Sequence, residues 1–191
     1  MIKFIIKLLD KLNTLIYRSS LKKMGKKSTL CYPSRIDEGC NIEIDESVYI
    51  RSNSWLITLK KKASGSSLKI GSNTYIGRNA HFVALKKVVI ENDVLIADNV
   101  YLSDNFHEYR DITIPVKDQE VKFKKEVVIG KQSWLGENVC VIGASVGKHS
   151  IIGANSVVIS DIPDYSIAVG SPAKIIKRYD FDLKDWVKVN S

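Results

Sequence analysis

Three residue types are scarce in this 191-residue sequence, and each shortage excludes a class of protein. The 11 glycines and 4 prolines are too few for a collagen-like chain or a flexible linker, while 45% hydrophobic residues are too many for a disordered one. Three cysteines, Cys31, Cys40 and Cys140, are odd in number and widely spaced, so neither a disulfide framework nor a paired-cysteine metal site is predicted. We expect one globular domain in a reducing, cytoplasmic setting.

The positive charge of the sequence is concentrated near the N-terminus. The formal net charge is +8, and residues 1–27 contain eight lysines and arginines with a single acidic residue, Asp10. The remaining chain is almost neutral. A protein that binds nucleic acid spreads basic residues over its recognition surface, often with aromatic residues between them. We therefore expect no nucleic-acid partner.

Residues 1–27 are predicted to form a basic amphipathic helical segment. Charged residues interrupt every apolar run well before the ~20 residues that a bilayer-spanning helix needs, and no signal-peptide cleavage site follows. Two interpretations stay open. The apolar face either packs against the body and shields its open end, which we favour, or makes a peripheral contact with the inner face of an anionic membrane. That face is formed by residues at helical spacing: Ile2, Ile5, Leu9, Leu12 and Ile16.

A period of six residues dominates the chain after about residue 36. Neither a helix nor a simple hairpin has this period, whereas a solenoid whose coils have three flat sides does. We predict that the large apolar residues point inward and stack on their equivalents in the next coil, with turn-tolerant triplets at corners 71–73, 91–93 and 153–155. The recurring residues are Ile44, Ile50, Leu56, Ile70, Ile76, Phe82, Ile90, Ile96, Leu102, Ile129, Leu135, Val141, Val146, Ile152 and Val158.

The period breaks between Leu102 and Ile129, across a polar stretch that contains Pro115. Residues 103–126 are therefore predicted to form an excursion loop, and loops on a regular scaffold often carry function. We divide the chain into the helical segment 1–27, a repeat region 28–170 that includes the loop, and a C-terminal segment 171–191.

The repeats and the segment 127–177 resemble the hexapeptide-repeat acyltransferases, in particular those that acetylate sugars and polysaccharides. The most specific pieces are Trp134-Leu135-Gly136, the turn Asp-Ile-Pro at 161–163 and the closing run Val-Gly-Ser-Pro-Ala-Lys at 169–174. The resemblance covers residues 36–178. It implies a mainly β fold, a left-handed parallel β-helix with an N-terminal amphipathic helix and a short C-terminal helix or tail. It also implies a homotrimer that binds acetyl-CoA between subunits and takes a carbohydrate acceptor.

Acetyl transfer to a hydroxyl requires a base, and imidazole is the usual one near pH 7. The sequence contains three histidines. His81 is expected at the surface of a repeat and His149 at a corner, whereas His107 begins the excursion loop, where the resemblance places the catalytic base. Because the three occupy different kinds of position, no metal site is predicted. A carboxylate that fixes the imidazole tautomer is expected. Three candidates stay open: Asp104, Glu108 and Asp111.

The resemblance assigns further positions to the cosubstrate acetyl-CoA. Trp134 would line the thioester, and a backbone N–H at Gly136 or Glu137 would hold the oxyanion. The remaining positions contact the body of the cosubstrate or its phosphates: Ala154, Ile159, Ser160, Lys174 and Lys177.

The sequence therefore predicts an acetyl-CoA-dependent O-acetyltransferase that modifies a sugar hydroxyl in a surface-polysaccharide precursor, with His107 as general base. Three alternatives stay open: an N-acetyltransferase of an amino sugar, an acetyltransferase of a small xenobiotic, and a non-catalytic scaffold. The acceptor is not specified, because acceptor contacts come from loops that vary freely on this scaffold.

Overall fold

The computed structural model describes residues 2–59 and 65–189. The described chain is mainly β, with parallel sheets and one N-terminal α-helix, α1 (Ile2–Arg18), which confirms this part of the predicted fold class. Short 3₁₀ turns occur at Gly39–Asn41 and Val116–Asp118. Within the described residues, no helix has both the length and the apolar character required to cross a membrane.

Most strands belong to three sheets. The first contains β1 (Lys23–Met24), β4 (Ile42–Ile44), β7 (Ser67–Ile70), β10 (Lys87–Ile90) and β15 (Val127–Ile129). The second contains β2 (Thr29–Leu30), β5 (Tyr49–Ile50), β8 (Tyr75–Ile76), β11 (Leu95–Ile96), β16 (Trp134–Leu135), β18 (Ile151–Ile152), β20 (Ser166–Val169), β21 (Lys174–Asp180) and β22 (Asp185–Lys188). The third contains β3 (Ser34–Asp37), β6 (Ser54–Thr58), β9 (His81–Ala84), β12 (Tyr101–Ser103), β17 (Cys140–Ile142) and β19 (Val157–Val158).

The chain visits these sheets in a fixed order. Strands β1, β2 and β3 lie in the first, second and third sheet, β4 returns to the first sheet beside β1, and the same order repeats through β12. Equivalent strands pair in parallel, so that Thr29 lies beside Tyr49 and Tyr49 beside Tyr75. Each turn of the chain thus places its strands directly next to those of the previous turn.

The positions that recur every six residues form the core. All fifteen predicted inward residues are at most 1% exposed and belong to one buried cluster. Parallel register stacks them: Ile70 lies beside Ile90, and Ile90 beside Ile129. Burial of one such side chain contributes about 1.5–3 kcal/mol. The prediction of the inward positions is confirmed.

Corners between strands use the left-handed backbone conformation. The predicted corner triplets each end in a residue of positive φ, namely 58° at Asn73, 61° at Asp93 and 60° at Asn155. Asn and Asp tolerate this conformation better than other residues that carry a Cβ atom. Their amides also join successive turns, since Asn79 Nδ2 donates to Asn99 Oδ1 at 2.7 Å.

The segment 103–126 leaves the third sheet after β12 and reaches the first sheet at β15. It contains an antiparallel pair, β13 (Asn105–His107) and β14 (Val121–Phe123), which we call the hairpin. The connection between its two strands is exposed at every position from 111 to 118. The hairpin is thus a projection from otherwise regular turns.

The C-terminal segment forms strands, whereas the sequence predicts a short helix or tail there. Strands β21 and β22 run antiparallel and extend the second sheet beyond β20. Alternate residues of β21 are exposed and partly buried, which is the pattern of a strand with one face against the body. Aromatic contacts hold the two strands together, because the Tyr179 ring lies 5.2 Å from Phe181 and 5.5 Å from Trp186.

Helix α1 lies with its polar side against the body, so the favoured prediction for its apolar face is wrong. Its buried residues are Asn13 and Thr14. The free edge of β2 explains this orientation, because unpaired backbone N–H and C=O groups need polar partners. The residues expected to pack inward are all exposed: Ile2, Ile5, Leu9, Leu12 and Ile16.

Candidate active site

A buried carboxylate anchors the start of the hairpin. Asp104 is fully buried, and its oxygens accept the backbone N–H groups of Leu85, Lys86 and Lys87 at 2.7 Å each. The side-chain amide of Asn105 donates to the same carboxylate at 2.9 Å. A buried carboxylate is stable when several donors satisfy it. Asp104 therefore fixes the hairpin relative to the corner at 85–87.

The end of the hairpin is held against β17. Lys124 Nζ donates to the Ile142 carbonyl at 2.9 Å, and the Lys124 side chain crosses Gly143. Gly143 has a φ of +55°, and a Cβ there would lie 2.5 Å from Lys124 Cδ. Glycine thus suits both the backbone conformation and the close approach. The Lys86 ammonium adds a cation–π contact, 4.5 Å from the centre of the Phe123 ring.

His107 is exposed on the first strand of the hairpin. Strand β13 places it opposite Val121 in the antiparallel register. Within residues 2–59 and 65–189, no side chain or backbone group hydrogen-bonds to its ring. Strand pairing thus fixes the backbone of His107, and the imidazole is accessible to a ligand from outside the chain.

The three carboxylates predicted as partners of His107 are engaged with other groups. Glu108 accepts hydrogen bonds from the Arg110 guanidinium and from two backbone N–H groups, which lowers its pKa to about 2. Asp111 accepts from the hydroxyl and the backbone N–H of Thr113, which holds its pKa below the usual value. Asp104 anchors the hairpin. Among the described residues none of the three is hydrogen-bonded to the imidazole, so this assignment stays a prediction.

His81 is half-buried, whereas the sequence predicts a surface side chain. Parallel register places Trp55, His81 and Tyr101 side by side on the outer face of the third sheet. The imidazole stacks on Trp55 with 4.7 Å between ring centres, and Tyr101 lies 5.3 Å away. Its Nε2 atom is buried without a hydrogen-bond partner in the described part of the chain. Burial lowers the pKa of His81, which favours the neutral ring.

The third histidine lies at a corner, as predicted. His149 has a φ of 53°, and its ring centre is 5.7 Å from that of Tyr165. The described residues contain no cluster of three side chains suited to hold a metal ion.

The first group of predicted cosubstrate positions lies on and after the second sheet. Trp134 is 46% exposed in β16, and Gly136, Glu137 and Ala154 occupy the corners that follow β16 and β18. The Gly136 N–H donates to the Ile152 carbonyl at 2.8 Å, so it is not free to hold an oxyanion. Of the two predicted oxyanion donors, the backbone N–H of Glu137 therefore remains. A Cβ on Gly136 would lie 2.7 Å from the Ala154 nitrogen, so glycine permits the close approach of these corners.

The second group lies after the third sheet and at the end of the second. Ile159 and Ser160 are exposed directly after β19, two strands from β12, where the hairpin begins. At normal strand spacing this is about 10 Å along the stack. Lys174 and Lys177 lie in β21, the former exposed and the latter half-buried. Within the described structure, no hydrogen bond or ion pair connects either group to His107.

Curated relatives match part of the chain, and no family model matches it. A probable acetyltransferase of Mycobacterium tuberculosis is 47% identical over 73 residues, which are 38% of this chain and 24% of that protein. A putative lipopolysaccharide biosynthesis O-acetyl transferase of Escherichia coli K12 is 51% identical over 63 residues, 32% of each protein. The chain thus spans about a quarter to a third of the length of these relatives.

Solved structures match most of the chain. A hexapeptide-repeat containing acetyltransferase of Vibrio cholerae, complexed with acetyl-CoA, has a TM-score of 0.65 and 24% identity, covering 90% of this chain and 79% of that one. This chain has the fold of a hexapeptide-repeat acetyltransferase. An N-acyltransferase of Bacillus cereus, in complex with dTDP and 3-hydroxybutyryl-CoA, has a TM-score of 0.73 and 19% identity, covering 88% and 89%. The resemblance predicted from the repeats is therefore confirmed, and identities of this size establish the fold alone.

Proposed function

We propose that this protein is an acetyl-CoA-dependent O-acetyltransferase that modifies a sugar hydroxyl, with His107 as general base. The observation that carries the proposal is an exposed imidazole on a short hairpin whose two ends are fixed by Asp104 and Lys124. A base must be both accessible and held in position to act on a bound hydroxyl. The fold named by the resemblance, a left-handed parallel β-helix, accounts for the cyclic order of the three sheets.

The reaction needs one proton acceptor and one oxyanion donor. Acetyl-CoA supplies the acetyl group as a thioester. The His107 imidazole accepts the proton of the acceptor hydroxyl as that oxygen bonds to the acetyl carbon, and the backbone N–H of Glu137 stabilises the negative charge that develops on the carbonyl oxygen. The carbon–sulfur bond then breaks, and the imidazolium returns the proton to the sulfur. His107 regains its starting state, and the products are an acetyl ester and a free thiol.

A homotrimer would bring the two groups of cosubstrate positions together. Trp134 lies on the second sheet, whereas Ile159 follows the third, so one chain presents them on different faces. In a cleft between two copies, Trp134 of one copy and Ile159 of its neighbour face the same ligand. Lys174 and Lys177 would bind the phosphates of that ligand as point charges.

The proposed acceptor is a precursor of a surface polysaccharide, made in the cytoplasm. The E. coli relative named for lipopolysaccharide biosynthesis supports this class of acceptor. N-acylation of an amino sugar is the second candidate. It is favoured by the likeness to the B. cereus N-acyltransferase, a mutant of which was solved with dTDP-4-amino-4,6-dideoxyglucose and coenzyme A.

Thiol release from acetyl-CoA, measured with a panel of sugars, sugar nucleotides and amino sugars, tests the proposal. We expect turnover with a hydroxyl acceptor and a product whose acetyl group is removed by mild alkali, as an ester is. A product stable to mild alkali would identify an amide and favour the second candidate. Absence of both turnover and acetyl-CoA binding would contradict the enzymatic proposal and favour a non-catalytic scaffold.

A further inference from the structure

Helix α1 is attached to the body through its polar side chains. The Leu30 N–H donates to Thr14 Oγ1 at 3.0 Å, and Asn13 Nδ2 donates to the Leu30 carbonyl at the same distance. Asp10 Oδ1 accepts the N–H of Tyr32 at 2.8 Å. These side chains satisfy backbone groups at the edge of β2, beyond which no other described strand pairs.

The last turn of α1 fixes the helix against the other two sheets. The Tyr17 hydroxyl donates to the Ser34 carbonyl in β3 at 3.1 Å, and Arg18 Nη1 donates to the Met24 carbonyl in β1 at 3.0 Å. The helix thus contacts the first strand of each of the three large sheets. Rotation about its axis would break all of these bonds, so the direction of each helix face is determined.

The opposite face of α1 is apolar and exposed. Nine large apolar side chains of the helix are between 36% and 72% exposed. Surface residues of this kind normally occur singly, and a contiguous group indicates an interaction surface. We call this group the outer face: Ile2, Phe4, Ile5, Ile6, Leu8, Leu9, Leu12, Leu15 and Ile16.

Basic side chains flank the outer face. Lys22 pairs with Glu43 and Lys23 with Asp45. Five more lysines have no ion-pair partner within residues 2–59 and 65–189, and all five are exposed: Lys3, Lys7, Lys11, Lys26 and Lys27. The surroundings of the outer face are therefore positively charged.

We propose that the outer face of α1 docks on a membrane surface that contains anionic phospholipid, with the helix axis parallel to the bilayer. An apolar face combined with lysines suits this position, since apolar side chains enter the headgroup region while the lysines meet lipid phosphates. A second copy of the chain is a poorer occupant, because it would bring the same positive charges together. The proposal does not depend on the acetyltransferase activity.

Vesicle sedimentation of the full chain tests this docking. We expect the protein to pellet with vesicles of phosphatidylcholine and phosphatidylglycerol at low salt, and to be released at high salt or from pure phosphatidylcholine. A variant that combines Leu8→Gln, Leu12→Gln and Leu15→Gln should lose the binding. A variant that combines Lys3→Gln, Lys7→Gln and Lys11→Gln should partition about 100-fold less.

Matched variants control for general changes of surface. Replacement of Ile112, Ile114 and Leu183 by Gln removes three exposed apolar side chains outside α1, and replacement of Lys131, Lys184 and Lys188 by Gln removes three exposed lysines. Both controls should bind vesicles like the wild type.

Three outcomes would overturn the proposal. They are no pelleting of the wild type with anionic vesicles, unchanged pelleting of the leucine variant, and equal loss in the control variants. Light scattering without vesicles completes the test. An oligomer that dissociates on the three leucine substitutions, in a protein that ignores vesicles, would show that another copy covers the outer face.

Discussion

Asp104 Oδ2 lies 2.7 Å from the backbone nitrogen of Lys86, 18 residues earlier in the chain. The bond joins the base of the hairpin to the corner of the preceding turn, and the same oxygen also accepts the N–H of Lys87. A carboxylate used in this way positions His107 through the backbone and not through contact with its ring.

Replacement of Asp104 should therefore act on stability. Asp104→Ala leaves three backbone N–H groups without an acceptor, and we expect the free energy of unfolding to fall by about 3–5 kcal/mol. Urea denaturation followed by circular dichroism measures the change. Asp111→Ala is the matched control, since Asp111 is exposed and, among the described residues, its carboxylate accepts hydrogen bonds from Thr113 alone. Equal effects of the two substitutions would contradict the anchoring role.

His107→Ala should lower kcat by about 10²–10⁴-fold, the usual contribution of a general base. The fold should not change, because the side chain is exposed and supports no core packing. Steady-state thiol release gives kcat, and thermal unfolding checks the fold. His149→Asn is the control, since Asn tolerates the positive φ at that corner. A well-folded His107→Ala enzyme with full activity would exclude His107 as the base.

The half-buried ring of His81 should make stability depend on pH. Its pKa is lowered in the folded state by burial, so below about pH 6.5 the unfolded chain binds a proton that the folded chain does not. The free energy of unfolding should therefore fall as the pH drops from about 6.5 towards the lower folded-state pKa. Urea titrations at several pH values test this. His81→Phe should reduce the pH dependence of the free energy of unfolding. An unchanged pH dependence in that variant would show that other groups cause it.

Close contact between turns predicts a difference between two glycine substitutions. A Cβ on Gly147 would lie 2.3 Å from the backbone nitrogen of Asp164, whereas one on Gly153 would lie 2.7 Å from a methyl group of Val169, which is partly exposed. Backbone cannot move aside as a surface side chain can. We expect Gly147→Ala to cost about 1–3 kcal/mol and Gly153→Ala less. If urea denaturation showed a larger loss of stability for Gly153→Ala than for Gly147→Ala, the backbone of the turns would adjust more easily than the side chain of Val169.

Lys174→Ala should raise the KM for acetyl-CoA about fivefold and leave kcat nearly unchanged, because an exposed lysine that binds phosphate contributes little more than a surface ion pair. Lys184→Ala, at an exposed position next to β22, is the control. A fall in kcat with unchanged KM would place Lys174 near the reacting groups instead.

The sequence by itself determined the core and the corners. Large apolar residues at every sixth position identified fifteen inward side chains from Ile44 to Val158. The identification was possible because such side chains are mostly buried in folded proteins. The same period also located the loop 103–126 that carries His107, since the spacing of 27 residues from Leu102 to Ile129 is not a multiple of six. The Asn and Asp residues at corners such as Asn73 were recognisable because they tolerate a positive φ better than most residues that carry a Cβ atom.

Only the tertiary structure decided which groups face each other across turns. His81 is half-buried because parallel register sets it between Trp55 and Tyr101. These neighbours are 26 and 20 residues away in the sequence, so they are found only by comparing strands in register. Helix α1 presents Asn13 and Thr14 to the body because the backbone groups at the edge of β2 require hydrogen-bonding partners. The periodicity of the helix shows which residues share a face, but it does not show which face meets this edge. Asp104 likewise bonds to a corner 18 residues away. Periodicity specifies which side chains avoid water, whereas the partners of polar groups depend on what the fold brings beside them.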